Sequence, residues 1–161
     1  MAAPPADLWK KAKRLDFTIQ QERWGQYEVD NDVVVRARMV LLSLFKVHGE
    51  KDQPASLAPT SAVLMAVDSP FKSRGTPSDP AALPQKIQES EKVEVPFRTL
   101  DEPWNEYLFD DSGPKLLRMK LVVSGVSRVA DLYDATGAPI YQISHATVVA
   151  PPLPRKAIPG K

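Results

Sequence analysis

The sequence predicts an all-β fold: an internally duplicated small β-barrel or sandwich with pseudo-twofold symmetry and one short N-terminal helix. Residues 32–47 (DVVVRARMVLLSLFKV) and 115–129 (KLLRMKLVVSGVSRV) are long aliphatic and β-branched runs, each preceded by Trp-x-x-Tyr and an acidic turn. Advancing by 80 positions carries Phe17 onto Phe97, Glu22 onto Glu102, Trp24 onto Trp104, Tyr27 onto Tyr107 and Asp30 onto Asp110. Background composition would give about one identity in such a window. Sixteen prolines against seven glycines favour extended segments over helices, because proline lacks the amide donor and fixes φ.

Composition sets the outer limits. A chain of 161 residues is one compact domain, or two halves of about 70 residues that must bury each other, since so short a piece alone has a marginal core. Hydrophobic and charged contents of 43% and 25% are those of a soluble globular protein. A net charge of +1 provides no global field, so nucleic acid is not expected as a partner; it would need a local basic patch. The chain has no cysteine, which removes disulfides, thiolate nucleophiles and Cys-ligated metals together. Residues 1–17 contain no apolar signal core, and the longest apolar run, 39–45, is too short to span a bilayer as a helix. A cytoplasmic location and no membrane partner are expected.

Taken in order, residues 2–5 read as extended and 6–14 as about two helical turns started by Asp7, whose charge suits the helix dipole. Lys10, Lys11, Lys13 and Arg14 make that element basic, the usual property of a solvated face. Residues 17–29 read as one strand disturbed at Gly25. Trp24 and Tyr27, three apart, face opposite sides of a regular strand unless a bulge intervenes. Residues 30–32 (DND) form a turn. A hairpin centred on Asn31 sets Gln26 opposite Arg36 and Trp24 opposite Arg38; the second hairpin, centred on Ser112, sets Glu106 opposite Arg118 and Trp104 opposite Lys120. Each half then places a cation beside an indole, an arrangement that contributes about 0.5–1 kcal/mol at an exposed site.

In the first long run Val33, Val35, Ala37, Met39, Leu41, Phe45 and Val47 share one face with Ser43 and are expected in the core, while Leu42, Leu44 and Lys46 share the other with Arg36 and Arg38. Such a strand belongs in the middle of a sheet, because on an edge its apolar run would invite aggregation. A polar loop over 48–56 and a third strand over 62–67 follow. Beyond the turn the repeat offset becomes 82, carrying Arg36 onto Arg118, Arg38 onto Lys120 and Val40 onto Val122. A break of two residues keeps side chains on their proper faces, whereas an odd one would reverse them all.

Residues 68–91 carry prolines and serines and read as a linker or crossover with a short helix at 80–89. The second long strand continues to Leu132, turns at 134–137 and returns over 139–149. The last residues, APPLPRKAIPGK, read as an extended arm with a polyproline bias, since proline cannot continue a regular ladder. Leu153 would anchor that arm on a partner and Arg155 would meet carboxylates at the rim. The organisation is therefore a first β repeat (1–67), a crossover (68–91), a second β repeat (92–150) and a proline-rich arm (151–161).

No chemistry-bearing motif emerges. His48 and His145 have no second histidine or carboxylate at ligand spacing, and neither a G-x-S-x-G elbow nor a phosphate-binding glycine loop is present. The acid pairs Asp30/Asp32 and Asp110/Asp111 lie in turns, where Asp is favoured for backbone reasons. No catalytic residue, cofactor or metal is expected. The residue pattern supports a non-catalytic structural or accessory interaction protein, a subunit of a homo- or hetero-oligomeric assembly that associates with itself or with a protein partner. The alternative is a binding module for an anionic ligand or nucleic-acid backbone. The candidate binding residues are Trp24, Arg36, Arg38, Trp104, Arg118 and Lys120, with Leu153 and Arg155 in the arm. A binding module needs the four strand cations to converge in the open; cations covered by Trp24 and Trp104 favour the structural reading.

Overall fold

The structure, a computed structural model, describes residues 6–155. The extended lead at 2–5 and the end of the arm, 156–161, lie outside the described residues. The strands are β1 (Lys13–Leu15), β2 (Phe17–Gln21), β3 (Gly25–Glu28), β4 (Val34–Val47), β5 (Ser56–Asp68), β6 (Lys92–Val95), β7 (Arg98–Asp101), β8 (Trp104–Asp110), β9 (Pro114–Tyr133) and β10 (Pro139–Pro154). The helices are α1 (Ala6–Trp9) and α2 (Leu83–Glu89).

The fold is mostly β, in two antiparallel five-stranded sheets. In the first, β4 carries β5 along one edge; β3 and then β1 lie along its other edge, with β7 outside β3. In the second, β9 carries β10 along one edge; β8 and then β6 lie along the other, with β2 outside β8. Among the described residues no ladder joins the two sheets, so closure into a barrel is not found. They meet instead through side chains: Tyr27, Val35, Met39 and Leu44 of the first sheet share one apolar cluster with Tyr107, Leu117, Met119 and Val126 of the second.

The strand expected over 17–29 is two strands in different sheets. The chain leaves β1 in the first sheet, completes the second as β2, and returns to the first as β3. The later segment does the converse, passing from β6 in the second sheet to β7 in the first and back to β8. Aromatic packing accompanies both passages. Phe17 meets Tyr107 edge-on at 5.8 Å and Phe97 meets Tyr27 at 6.1 Å, a preferred geometry for ring quadrupoles. Opposite those rings, Ile19 pairs with Tyr107 and Thr99 with Tyr27, and each ladder shifts register at its next step.

The hairpin registers agree with the sequence: Gln26 lies opposite Arg36, Glu106 opposite Arg118 and Trp104 opposite Lys120. Alternation holds along β4 only as far as Leu41. Leu42 is then skipped between the pairs Leu41↔Ser61 and Ser43↔Thr60, and one extra residue reverses every later side chain. Leu44 is consequently buried at 0% exposure while Leu42 is 56% exposed. Phe45, expected in the core, lies on the other face, where its ring meets Trp9 at 5.5 Å. β9 does the same at Ser124, skipped between Val123↔His145 and Gly125↔Ser144, and so turns Val126 into the shared core.

Three further expectations are corrected, and the crossover is located. The N-terminal helix stops at Trp9, because Lys13–Leu15 pairs with β4 and buries Leu15 beside Leu44. The third strand begins at Ser56, pairing through Pro59. The crossover is seated on the second sheet: Gly75 donates its N–H to the Gly137 carbonyl at 2.9 Å, and a Cβ on Gly75 would overlap the Tyr133 ring. The arm expected from residue 151 is strand as far as Pro154, with Leu153 opposite Leu116 and Pro154 opposite Lys115. Pro151 and Pro152 fall at a register shift between Ala150 and Leu153, and β10 is an edge, where a missing amide donor can face outward.

The bulge gives a direct test. Truncating the fully buried Leu44 to Ala should cost about 2–5 kcal/mol in urea unfolding, whereas Leu42→Ala should stay within about 0.5 kcal/mol of the parent. Strict alternation requires both leucines to respond alike, so equal effects would remove the bulge.

Candidate functional site

The two hairpins present related clusters of indole, cation and carboxylate. Arg36 lies 5.1 Å from the Trp24 ring centre and its Nε is 2.8 Å from Asp68. Arg38 binds Glu22 at 2.7 Å. In the second sheet Arg118 lies 4.7 Å over Trp104, while Lys120 is 5.8 Å from the same ring and 3.7 Å from Glu102. Arg36, rather than the Arg38 expected opposite Trp24, therefore covers the first indole. Arg38 is drawn to Glu22, whose carboxylate side chain is only 3% exposed, and a long side chain reaches a diagonal neighbour readily.

The structure does not bring the four cations together. Their strand neighbours Val35, Ala37, Met39, Leu117, Met119 and Leu121 all point into the shared core. Alternation then turns Arg36 and Arg38 outward from one sheet, and Arg118 and Lys120 outward from the other, with the core between them. The arm residues lie further along the second sheet, in a cleft lined also by Glu106 and Leu116: Leu153 is 49% exposed on β10, and Arg155 donates its N–H to the Pro114 carbonyl at 3.0 Å.

Beneath the clusters lies a network with no signature in any single stretch of the sequence. The Tyr27 hydroxyl donates to Glu102 at 3.1 Å, and the Tyr107 hydroxyl donates to Glu22 at 2.9 Å. Each carboxylate sits where the chain changes sheets, so each bond links one half to the other. Glu102 also accepts from the Val123 N–H at 3.1 Å. Burial first, and the neighbouring carboxylate second, raise both phenols far above the usual tyrosine range. Asn105 adds a bond particular to the second half, donating to the Met39 carbonyl at 3.0 Å and accepting from the Arg23 N–H at 3.1 Å. Gly25 occupies the corresponding register position, where a Cβ would come within 3.0 Å of the Tyr27 hydroxyl.

The acidic turns are engaged in ion pairs. Asp32 meets Lys72 at 2.9 Å; Asp111 meets Lys46 at 2.7 Å and Lys115 at 3.5 Å. The hydrogen bond from Lys46 holds the Asp111 carboxyl below its ordinary value. Among the described residues no three His, Asp or Glu side chains gather as a metal site, and no helix is long and apolar enough to cross a membrane.

What remains open to a partner is a pair of sheet edges. β5 and β10 are 13 and 16 residues long, and among the described residues each pairs on one side only. Residues 56–67 and 139–154 contain no Lys, Arg, Asp or Glu. Leu64, Met65, Val148 and Leu153 on these strands are 50%, 37%, 43% and 49% exposed. The opposite edges are built differently: β1, β2, β6 and β7 have three to five residues, and all but β2 carry charge (Lys13, Arg14, Lys92, Glu94, Arg98, Asp101). Short and charged edges resist pairing with other chains; long, neutral, apolar ones invite it.

The buried phenols set a pH limit. Tyrosine in the unfolded chain ionises near its ordinary value of 10.0, whereas Tyr27 and Tyr107 in the fold hold their protons well beyond it. Above that pH the unfolded state binds fewer protons than the native state, so stability falls as pH rises, by about 1.4 kcal/mol per pH unit for each tyrosine. Chemical unfolding between pH 9 and 11 should show this decline, and a Tyr27→Phe/Tyr107→Phe variant should lose most of it; an unchanged slope in the variant would remove these phenols as the cause.

No family model, curated protein or solved structure matches this chain.

Proposed function

We propose that this chain is a non-catalytic structural or accessory subunit of a protein assembly, built by internal duplication and joined to its neighbours through sheet edges. The observation that carries the reading is the asymmetry of edge protection. One side of the molecule keeps its strand edges short and mostly charged. The other leaves two long strands with free backbone groups, no charged side chain but Asp68 at the end of β5, and exposed leucine, methionine and valine.

The duplication is supported by the parallel wiring of the two sheets: β4 corresponds to β9, β5 to β10, β3 to β8, β1 to β6 and β7 to β2. It is supported again by skipped residues at Leu42 and Ser124, which the 82-residue offset superposes. The state of the cations argues against an anion-binding module. Arg36, Arg38 and Lys120 are committed to Asp68, Glu22 and Glu102, and Arg118 is laid over Trp104. An incoming anion would have to displace these partners. The absence of cysteine suits work in a reducing compartment such as the cytoplasm.

The test is the mass of the native particle. At micromolar concentration, alone or in extract of cells that express it, the chain should sediment well above its monomer mass of 17.8 kDa. A 17.8 kDa particle under both conditions would overturn the reading.

A further inference from the structure

We infer that two copies of this chain pair about a twofold axis, β5 of each copy forming a ladder with β10 of the other. The inference rests on the assembly reading above and names the partner. Both edges open on the same side of the molecule, since Ser56 and Leu57 of β5 line one cleft with Val149, Pro151 and Pro152 of β10. A foreign strand added to one edge would leave the other bare. A second copy covers both at once, because an axis that brings β5 to the partner's β10 also brings β10 to the partner's β5.

The two edges match in the properties that such pairing needs. Residues 60–67 and 140–150 contain neither proline nor a Lys, Arg, Asp or Glu side chain, so each can supply an amide donor at every outward-facing position, and no like charges face each other across the new ladder. β5 and β10 also hold equivalent places beside the central strands β4 and β9. Joining them would extend the first sheet of one copy into the second sheet of the other. Two ladders of about eight residues order on the order of sixteen residues a side, and with the exposed neighbours Leu42 and Leu153 this approaches the roughly 20–30 of a standard interface.

Because the chain has no cysteine, the pairing can be read with single thiols introduced at exposed edge positions. Leu64→Cys on β5 and Val148→Cys on β10 would be purified separately, checked for parental circular dichroism and melting, and treated with a short bis-maleimide alone or after mixing. Cross-linked dimer should form at least tenfold more in the mixture than in either variant by itself. The unmodified protein should sediment at twice 17.8 kDa, and a Leu64→Lys/Val148→Lys variant that keeps the parental circular dichroism should sediment as monomer. Cross-linking of Leu64→Cys with itself, and not in the mixed pair, would overturn the β5 to β10 pairing. A purified monomer that becomes part of a larger particle only in extract would overturn self-pairing while leaving the assembly reading standing. A monomer in both settings would remove the two together.

Discussion

Tyr107 of the second sheet donates its hydroxyl to Glu22, and Glu22 stands where the chain passes from β2 in that sheet to β3 in the other. Tyr27 and Glu102 do the same at the second passage. A buried hydrogen bond to a charged group contributes about 1.5–3 kcal/mol, and a carboxylate left without partners at such a site is costly. The crossings are therefore over-determined: the aromatic pairs Phe17–Tyr107 and Phe97–Tyr27 pack beside them, and Arg38 and Lys120 close the two carboxylates from above. Each half contributes one strand to the sheet of the other, so neither can complete its own sheet alone. A half of about 70 residues would be marginal in any case, and exchange turns the weakness into cooperativity, since opening either crossing exposes core from both sheets.

The bulges at Leu42 and Ser124 belong to the same economy. Before each bulge the inward face of the central strand covers the shared core, with Arg36, Arg38, Arg118 and Lys120 outward. After it, the former outer face turns inward and buries Leu44 and Val126. One long strand thereby follows the curvature of the core over its whole length and changes which set of side chains it commits, without a break in the ladder to β5 or β10. The positions just past the bulges are where β1 and β6 join, Leu15 beside Leu44 and Val95 beside Val126. The sheet changes its inner face where it acquires a new neighbour.

Much of this was legible in the residues. The register of both hairpins, the central place of the two long runs and the helix in the crossover follow from spacing and turn chemistry, which are local. Three kinds of feature were not. The exchange of β2 and β7 leaves no local trace, because Phe17 and Ile19 alternate in the same way whichever sheet they complete. The bulges at Leu42 and Ser124 are 82 positions apart, so the two halves keep a common spacing through them and neither departs from the other. The Tyr–Glu bonds were half visible: Glu22 and Glu102, and Tyr27 and Tyr107, lie 80 positions apart, but each tyrosine is bonded to the carboxylate of the other half of the chain, a pairing that no single window contains. The cations were visible and their occupation was not, since Arg38 meets a buried acid sixteen positions away across a sheet crossing.

The edges show why composition alone misleads about exposure. Residues 56–67 and 139–154 are as apolar as core strands, and from sequence they invite assignment to a buried place. In the fold they are outermost, and most of their residues are exposed or half-buried. Backbone donors and acceptors along such an edge are satisfied by water only while apolar side chains beside them remain wet, so the free energy of both is lowered by one event, the addition of a strand. The opposite side of the molecule shows that this sequence readily builds protected edges, with β1, β6 and β7 short and charged. That protection is absent from β5 and β10, and the proposed pairing rests on this contrast.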